Sequence, residues 1–141
     1  MDGMTPAQIF ESQFAAFLRG DLDAFLDHWA EDCTFRDMTE PEPRVGHAAL
    51  REYMAAYAQD MVDMETSIPT LFCTDTHALA ELEITGTWRG EGAGPEGTRV
   101  TMRYCVVDVV RDGLVQEERV YWNPRQLADQ LPAAAAAGAA S

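Results

Sequence analysis

Apolar residues recur at helical spacing three times before the chain turns to strict alternation. Behind Thr5 and Pro6, a favourable helix start, Ile9, Phe10, Phe14, Phe17 and Leu18 form one stripe, predicting a helix over residues 5–19 that Gly20 ends. Asp21 is an N-cap for a second helix, whose stripe is Leu22, Phe25, Leu26 and Trp29. After Asp32 the period shortens to two, with Cys33, Phe35 and Asp37 alternating against Thr34 and Arg36, a short strand that sets Asp37 on its apolar side. Helical spacing returns over residues 47–62 with Leu50, Tyr53, Met54, Tyr57 and Met61, so Tyr53 and Tyr57 share a face.

From residue 64 the pattern is that of strands. Ala78, Ala80, Leu82, Ile84, Gly86 and Trp88 mark an inward even face, and Val100, Met102, Tyr104 and Val106 repeat it beyond the glycine-rich connection Gly90 to Gly97. Arg111, Asp112 and Gly113 form a tight turn, and Leu114 to Asn123 is a last strand whose facing is ambiguous by periodicity. Pro124 opens a short helix ending near Leu131, and residues 132–141, PAAAAAGAAS, read as an alanine-rich disordered tail that packs against nothing. Three N-terminal helices over one face of a curved, mostly antiparallel sheet, with a short C-terminal helix, make an α+β single domain over residues 1–131. Helices cannot fill the open end of such a sheet, which leaves a concavity for a small molecule.

At 141 residues and 47% apolar composition the chain suits one core. Ten basic against twenty-four acidic residues give a net charge of -14, which repels phosphate backbones and anionic lipid. Nucleic acid and membrane are therefore not expected partners. With no apolar run of about 18 residues and no basic-then-apolar leader, the expected location is cytoplasmic. Cys33, Cys73 and Cys105 fit no zinc spacing and are odd in number, so they read as buried free thiols. His28, His47 and His77 are unpaired at metal-ligand spacing, so no metal is expected.

The order of elements, the GDLDAF helix start and the DMTEPEPRVG loop resemble the cone-shaped fold shared by nuclear transport factor 2, ketosteroid isomerases and SnoaL-like polyketide cyclases. The resemblance continues through TWRGEGAGPEGTRV, RDGLVQEERVYWNP and RQLADQL, and so covers residues 5–131. It implies that Asp37, followed by a loop ending in EPR and glycine, is a general base, and that Glu118, Val120 and Trp122 face the cavity. Other positions depart from the families. Gln13 stands where ketosteroid isomerases place an oxyanion-stabilising tyrosine, Val106 and Val120 stand where SnoaL-type cyclases carry histidine and aspartate, and Asn123 replaces an aspartate and is expected to cap the closing helix. Glu81, Leu82 and Glu83 lack the arginine of the epoxide hydrolases of this fold.

A carboxylate beside apolar residues has its charged form disfavoured, which predicts a raised pKa for Asp37 and better acceptance of a proton from carbon. The bland alternative is pairing with Arg36, Arg44 or a backbone amide that only fixes the loop. Glu118, if it faces inward, supplies a second acid, and two carboxyls in one pocket can split into acceptor and donor. Gln13 or a tyrosine hydroxyl would hydrogen-bond a developing enolate, and Trp29, Tyr53, Tyr57, Trp88, Tyr104 and Trp122 would hold a flat apolar substrate. The expected activity is a cofactor-independent isomerase or cyclase that abstracts a proton next to the carbonyl of a polyketide-like or other apolar or aromatic compound. The alternative is a non-catalytic domain that binds a hydrophobic ligand or pairs subunits. Val107 and Val109, on the outer strand face, predict a homodimer.

Overall fold

A computed structural model describes residues 3–132. Helix α1 (Pro6–Leu18) opens with a reciprocal cap in which Thr5 Oγ1 accepts from Gln8 N and Gln8 Oε1 from Thr5 N, with Pro6 in the first turn, where no backbone donor is needed. Gly20, at φ 78°, turns the chain in the left-handed region into α2 (Leu22–Leu26), which Asp21 caps through Ala24 N. That helix is shorter than its apolar stripe suggests. Trp29 begins strand β1 (Trp29–Asp37) instead of ending a helix, because the Phe25, Leu26 and Trp29 side chains reach one core from either structure. After β2 (Arg44–Val45) comes α3 (His47–Asp60), and then β3 (Met61–Cys73), β4 (His77–Trp88), β5 (Thr98–Arg111), β6 (Leu114–Tyr121) and α4 (Arg125–Ala128). The predicted tail beyond Pro132 lies outside the described residues.

The six strands form one sheet in the order β2-β1-β6-β5-β4-β3, antiparallel except where β1 runs parallel to β6. This is the α+β cone, with helices on the concave side of a bent sheet. Register shifts in β3 between Val62 and Glu65 and between Ser67 and Thr70 bend it, and Asp63 sits there at φ 52°. The inward rows of β4 and β5 fall on even positions as expected. On β6 an extra residue beside Val109 and Val110 breaks parity, so that Val115 and Glu118, three apart, are both buried.

Phe14 packs against all three apolar clusters of the core, so α1 joins the two ends of the cone. Where β5 runs past the end of β6, α4 replaces the missing strand. Gln126 pairs through its amide with both backbone groups of Arg103, and Gln130 does the same for Thr101. Helical spacing of four on α4 thus matches strand spacing of two on β5. Cys33 is buried, whereas Cys73 and Cys105 are half-buried rather than buried as expected, and all three are free. No helix among the described residues is long and apolar enough to cross a membrane, and among those residues no group of His, Cys, Asp and Glu could hold a metal ion.

Candidate active site

Two chambers lie between the helices and the sheet. The inner one, about 90 Å³, is walled by phenylalanines of α1 together with Gln13, Val106, Val120 and Glu118. The outer one, about 310 Å³, is lined by Arg44, Met61, Trp88, Met102, Trp122 and Leu127. Tyr53, Tyr57 and Tyr104 belong to both and form the wall between them, with the Tyr57 and Tyr104 hydroxyls hydrogen-bonded at 3.1 Å. Burial pushes both of those phenols up, so they stay protonated.

Asp37 sits at the end of β1, 5% exposed, behind Tyr53 and Trp122. Its Oδ1 accepts from Thr39 N at 2.9 Å, Thr39 Oγ1 at 2.7 Å and Trp122 Nε1 at 2.9 Å, and its Oδ2 accepts from Tyr53 OH at 2.7 Å. The expected raised pKa is not found. Burial alone would raise it, but the bonds from Tyr53, Thr39 and Trp122 outweigh burial and hold the carboxyl below its ordinary value. Neither neighbouring arginine supplies the counter-charge, since Arg36 pairs with Glu117 and Arg44 with Glu40. Arg44 also lies over the Tyr53 ring at 5.0 Å, which steadies that phenol.

Glu118 does face inward, on the row of Phe35 and Asp37. In the parallel register Phe35 lies opposite Glu118, and Asp37 opposite Val120. A rise of about 3.3 Å per residue and a strand spacing of about 4.8 Å put the α-carbons of Asp37 and Glu118 roughly 8 Å apart. Across the other edge of β6, Glu118 lies opposite Asp108, a residue the sequence analysis passed over. Asp108 continues the even row Val100, Met102, Tyr104, Val106, and that parity was the available signal. It is 0% exposed and Glu118 8% exposed. Burial raises both carboxyls, and the charge of Asp108 drives Glu118 further up, well above the ordinary range.

Gln13 is buried against this pair. Its Nε2 donates to Asp108 Oδ2 at 2.6 Å while its Oε1 accepts from Trp29 Nε1 at 2.7 Å. Trp29, expected against substrate, is instead a core residue, 2% exposed, outside both chambers. Its indole serves Gln13. Trp88 and Trp122 line the outer chamber, and Trp88 Nε1 is held by Glu91 O at 3.0 Å. Asn123 Oδ1 accepts from Arg125 N at 3.0 Å and fixes the start of α4.

Comparison with known proteins agrees with the fold. Residues 10–118 match the SnoaL-like domain family. Epoxide hydrolase LasB of Streptomyces lasalocidi is 33% identical over 103 residues, 73% of this chain and 36% of that protein, so the chain spans about a third of that relative's length. A Pseudomonas putida KT2440 protein provisionally designated a polyketide cyclase superposes with a TM-score of 0.75 at 21% identity, over 92% of this chain and 99% of that one. A ketosteroid isomerase-like protein from Catenulispora acidiphila DSM 44928, in complex with trimethylamine, gives a TM-score of 0.75 at 20% identity, over 92% and 97% of the two chains. At these identities the solved structures share the fold.

Proposed function

The chain belongs to the SnoaL-like family, and on that premise we propose that it is a cofactor-independent acid–base enzyme that moves a proton next to the carbonyl of an apolar or aromatic ring compound. One observation carries the reading. Asp37 and Glu118 lie on one face of adjacent strands, where four donated hydrogen bonds favour the charged form of Asp37 and burial opposite Asp108 favours the neutral form of Glu118, which sets an acceptor beside a donor.

In this reading the apolar ring lies in the outer chamber between Trp88 and Trp122, and the carbonyl end passes the tyrosine wall toward Glu118. Asp37 gives up the Tyr53 hydroxyl and takes a proton from the carbon beside the carbonyl. The C–H electron pair becomes the C=C bond of an enol as Glu118 passes its proton to the carbonyl oxygen. Reversal at another carbon returns the Asp37 proton to carbon and the enol proton to Glu118, an isomerisation that restores both groups. The small inner chamber excludes a second ring.

Asn and Gln variants test it. Against a panel of aromatic polyketide-like ketones and cyclic enones, Asp37→Asn and Glu118→Gln should each lower turnover by about 10²- to 10⁴-fold with ligand affinity retained. The second reading, a binding module, is favoured by the full set of hydrogen bonds on Asp37, which suits a structural clamp; binding with no turnover by the native protein would establish it. A homodimer is part of either reading, through the outer sheet face where Phe72, 65% exposed, lies beside Leu79 and half-buried Val107. Sedimentation of the native chain and of Phe72→Glu tests that pairing.

A further inference from the structure

We propose that Asp108 is a positioning residue for Glu118, aimed by Trp29 and Gln13 so that the two carboxyls hold one proton, carried by Glu118 and shared with Asp108 Oδ1. The inference rests on Glu118 being the proton donor of the reading above. It starts from an unpaired atom. Asp108 Oδ1 is buried and has no hydrogen-bond partner among the described residues, while Oδ2 of the same carboxyl takes the Gln13 amide at 2.6 Å. A buried acceptor left empty is costly, and the group opposite it on β6 is Glu118. A proton on Glu118 fills the vacancy.

The direction of sharing follows from Trp29. An amide can present either its oxygen or its nitrogen, and an isolated glutamine has no preference. The indole of Trp29 is a donor only, so its bond to Gln13 Oε1 obliges the Nε2 side to face Asp108. A donated N–H favours the charged form of Asp108, and among the described residues no comparable donor reaches Glu118. The proton therefore resides on Glu118. Of the other groups near the pair, the Asp37 carboxylate, about 8 Å away along the same face, also favours a neutral Glu118, and the rest carry no charge. Cys33 from β1 and Tyr53 from α3 face Glu118, and Cys73 from β3 faces Asp108; burial raises all three, which leaves them neutral.

The arrangement gives Asp108 a function without contact with substrate. Its fixed negative charge keeps Glu118 protonated until an acceptor enters the inner chamber, and it drives the proton back to Glu118 after the reaction, since two adjacent buried carboxylates repel.

Isotope-edited infrared spectra of the full chain at pH 7, with 13C carboxyls introduced separately into glutamate and aspartate, test the proposal. Expected is one neutral carboxyl band that moves with the glutamate label and disappears in Glu118→Gln. In Trp29→Phe the amide is free to turn, and part of the band should move to the aspartate label. In Asp108→Asn the Glu118 midpoint should fall by about one pH unit or more as the neighbouring charge is removed. Near-UV circular dichroism confirms that each variant is folded, and the labelled native protein is decisive if one is not. A band on aspartate in the native chain, or no neutral carboxyl at pH 7, overturns the proposal. A glutamate band in a protein that turns over no carbonyl substrate leaves this proton arrangement standing and removes the enzymatic reading instead.

Discussion

Tyr53 donates its hydroxyl proton to Asp37 Oδ2 over 2.7 Å, tying the wall between the chambers to the buried acid at the end of β1. Of the hydrogen-bond donors that depress the Asp37 pKa, Tyr53 has the largest effect. Tyr53→Phe keeps the ring, its contact with Phe35 at 4.6 Å and its place under Arg44, and deletes only the donor. The Asp37 pKa should rise toward or past its ordinary value, and folding stability should fall by about 2 kcal/mol, as for a bond to a charged group. Carboxyl NMR titration and urea denaturation measure the two effects. An unmoved Asp37 pKa would show that Tyr53 does not set it.

The two buried acid sites tilt stability against pH in opposite senses. Asp37 has a depressed native pKa, so its contribution is present above the unfolded value of about 3.9 and is lost as pH falls through the native one. Asp108 and Glu118 are raised, Asp108 to about 6, so the native state binds protons more tightly than the unfolded chain. Their contribution is greatest below about 4 and is lost as pH rises through the native values. Glu118→Gln carries its donor at every pH. Thermal melting from pH 5 to 9 should show native stability declining on the alkaline side and the variant, which retains buried Asp108, declining less, and equal slopes in the two proteins would contradict the assignment.

Periodicity made the helices and the even rows of β4 and β5 legible because those elements are regular and bury one face. It gave the wrong structure to Trp29, whose side chain joins the same core whether it ends a helix or begins a strand. On β6 it was silent because of the extra residue between Val115 and Glu118, which no alternation of period two can express. The position of Asp37 was readable, but its pKa was not. The local sequence shows apolar neighbours, whereas the donors that decide the ionisation include Tyr53 and Trp122, residues distant along the chain and brought together by the fold. Asp108 was missed for the opposite reason, since a charged residue in an apolar row is easily taken as an interruption of the row.

Gln126 and Gln130 stand in for a strand on β5, and their removal should be visible locally. Gln126→Ala leaves the Arg103 N–H and C=O to water, and exposure there limits the cost to about 1 kcal/mol. Hydrogen exchange should nevertheless speed up at Arg103 and, as α4 loosens, at Thr101, while the amides of β4 keep their protection. Exchange unchanged at both positions would mean that the side-chain amides do not hold this edge.

The wall formed by Tyr57 and Tyr104 divides a space of about 90 Å³ from one of about 310 Å³. Tyr104 packs against two apolar clusters of the core, with its ring centroid 5.8 Å from that of Trp122 and its hydroxyl bonded to Tyr57. Tyr104→Leu should join the chambers at a stability cost of about 1–3 kcal/mol, and a neutral apolar dye such as Nile red should bind more tightly to the enlarged space. Val106→Phe makes the converse change by filling the inner chamber from β5 while leaving the outer one open. Dye binding in the outer chamber should then persist, whereas any turnover that needs access to Glu118 should disappear. If Val106→Phe retained full turnover, the reacting atoms would have to lie on the outer side of the tyrosines, within reach of Asp37 through Tyr53 and Trp122 but not of Glu118, and the two-carboxyl mechanism would fall.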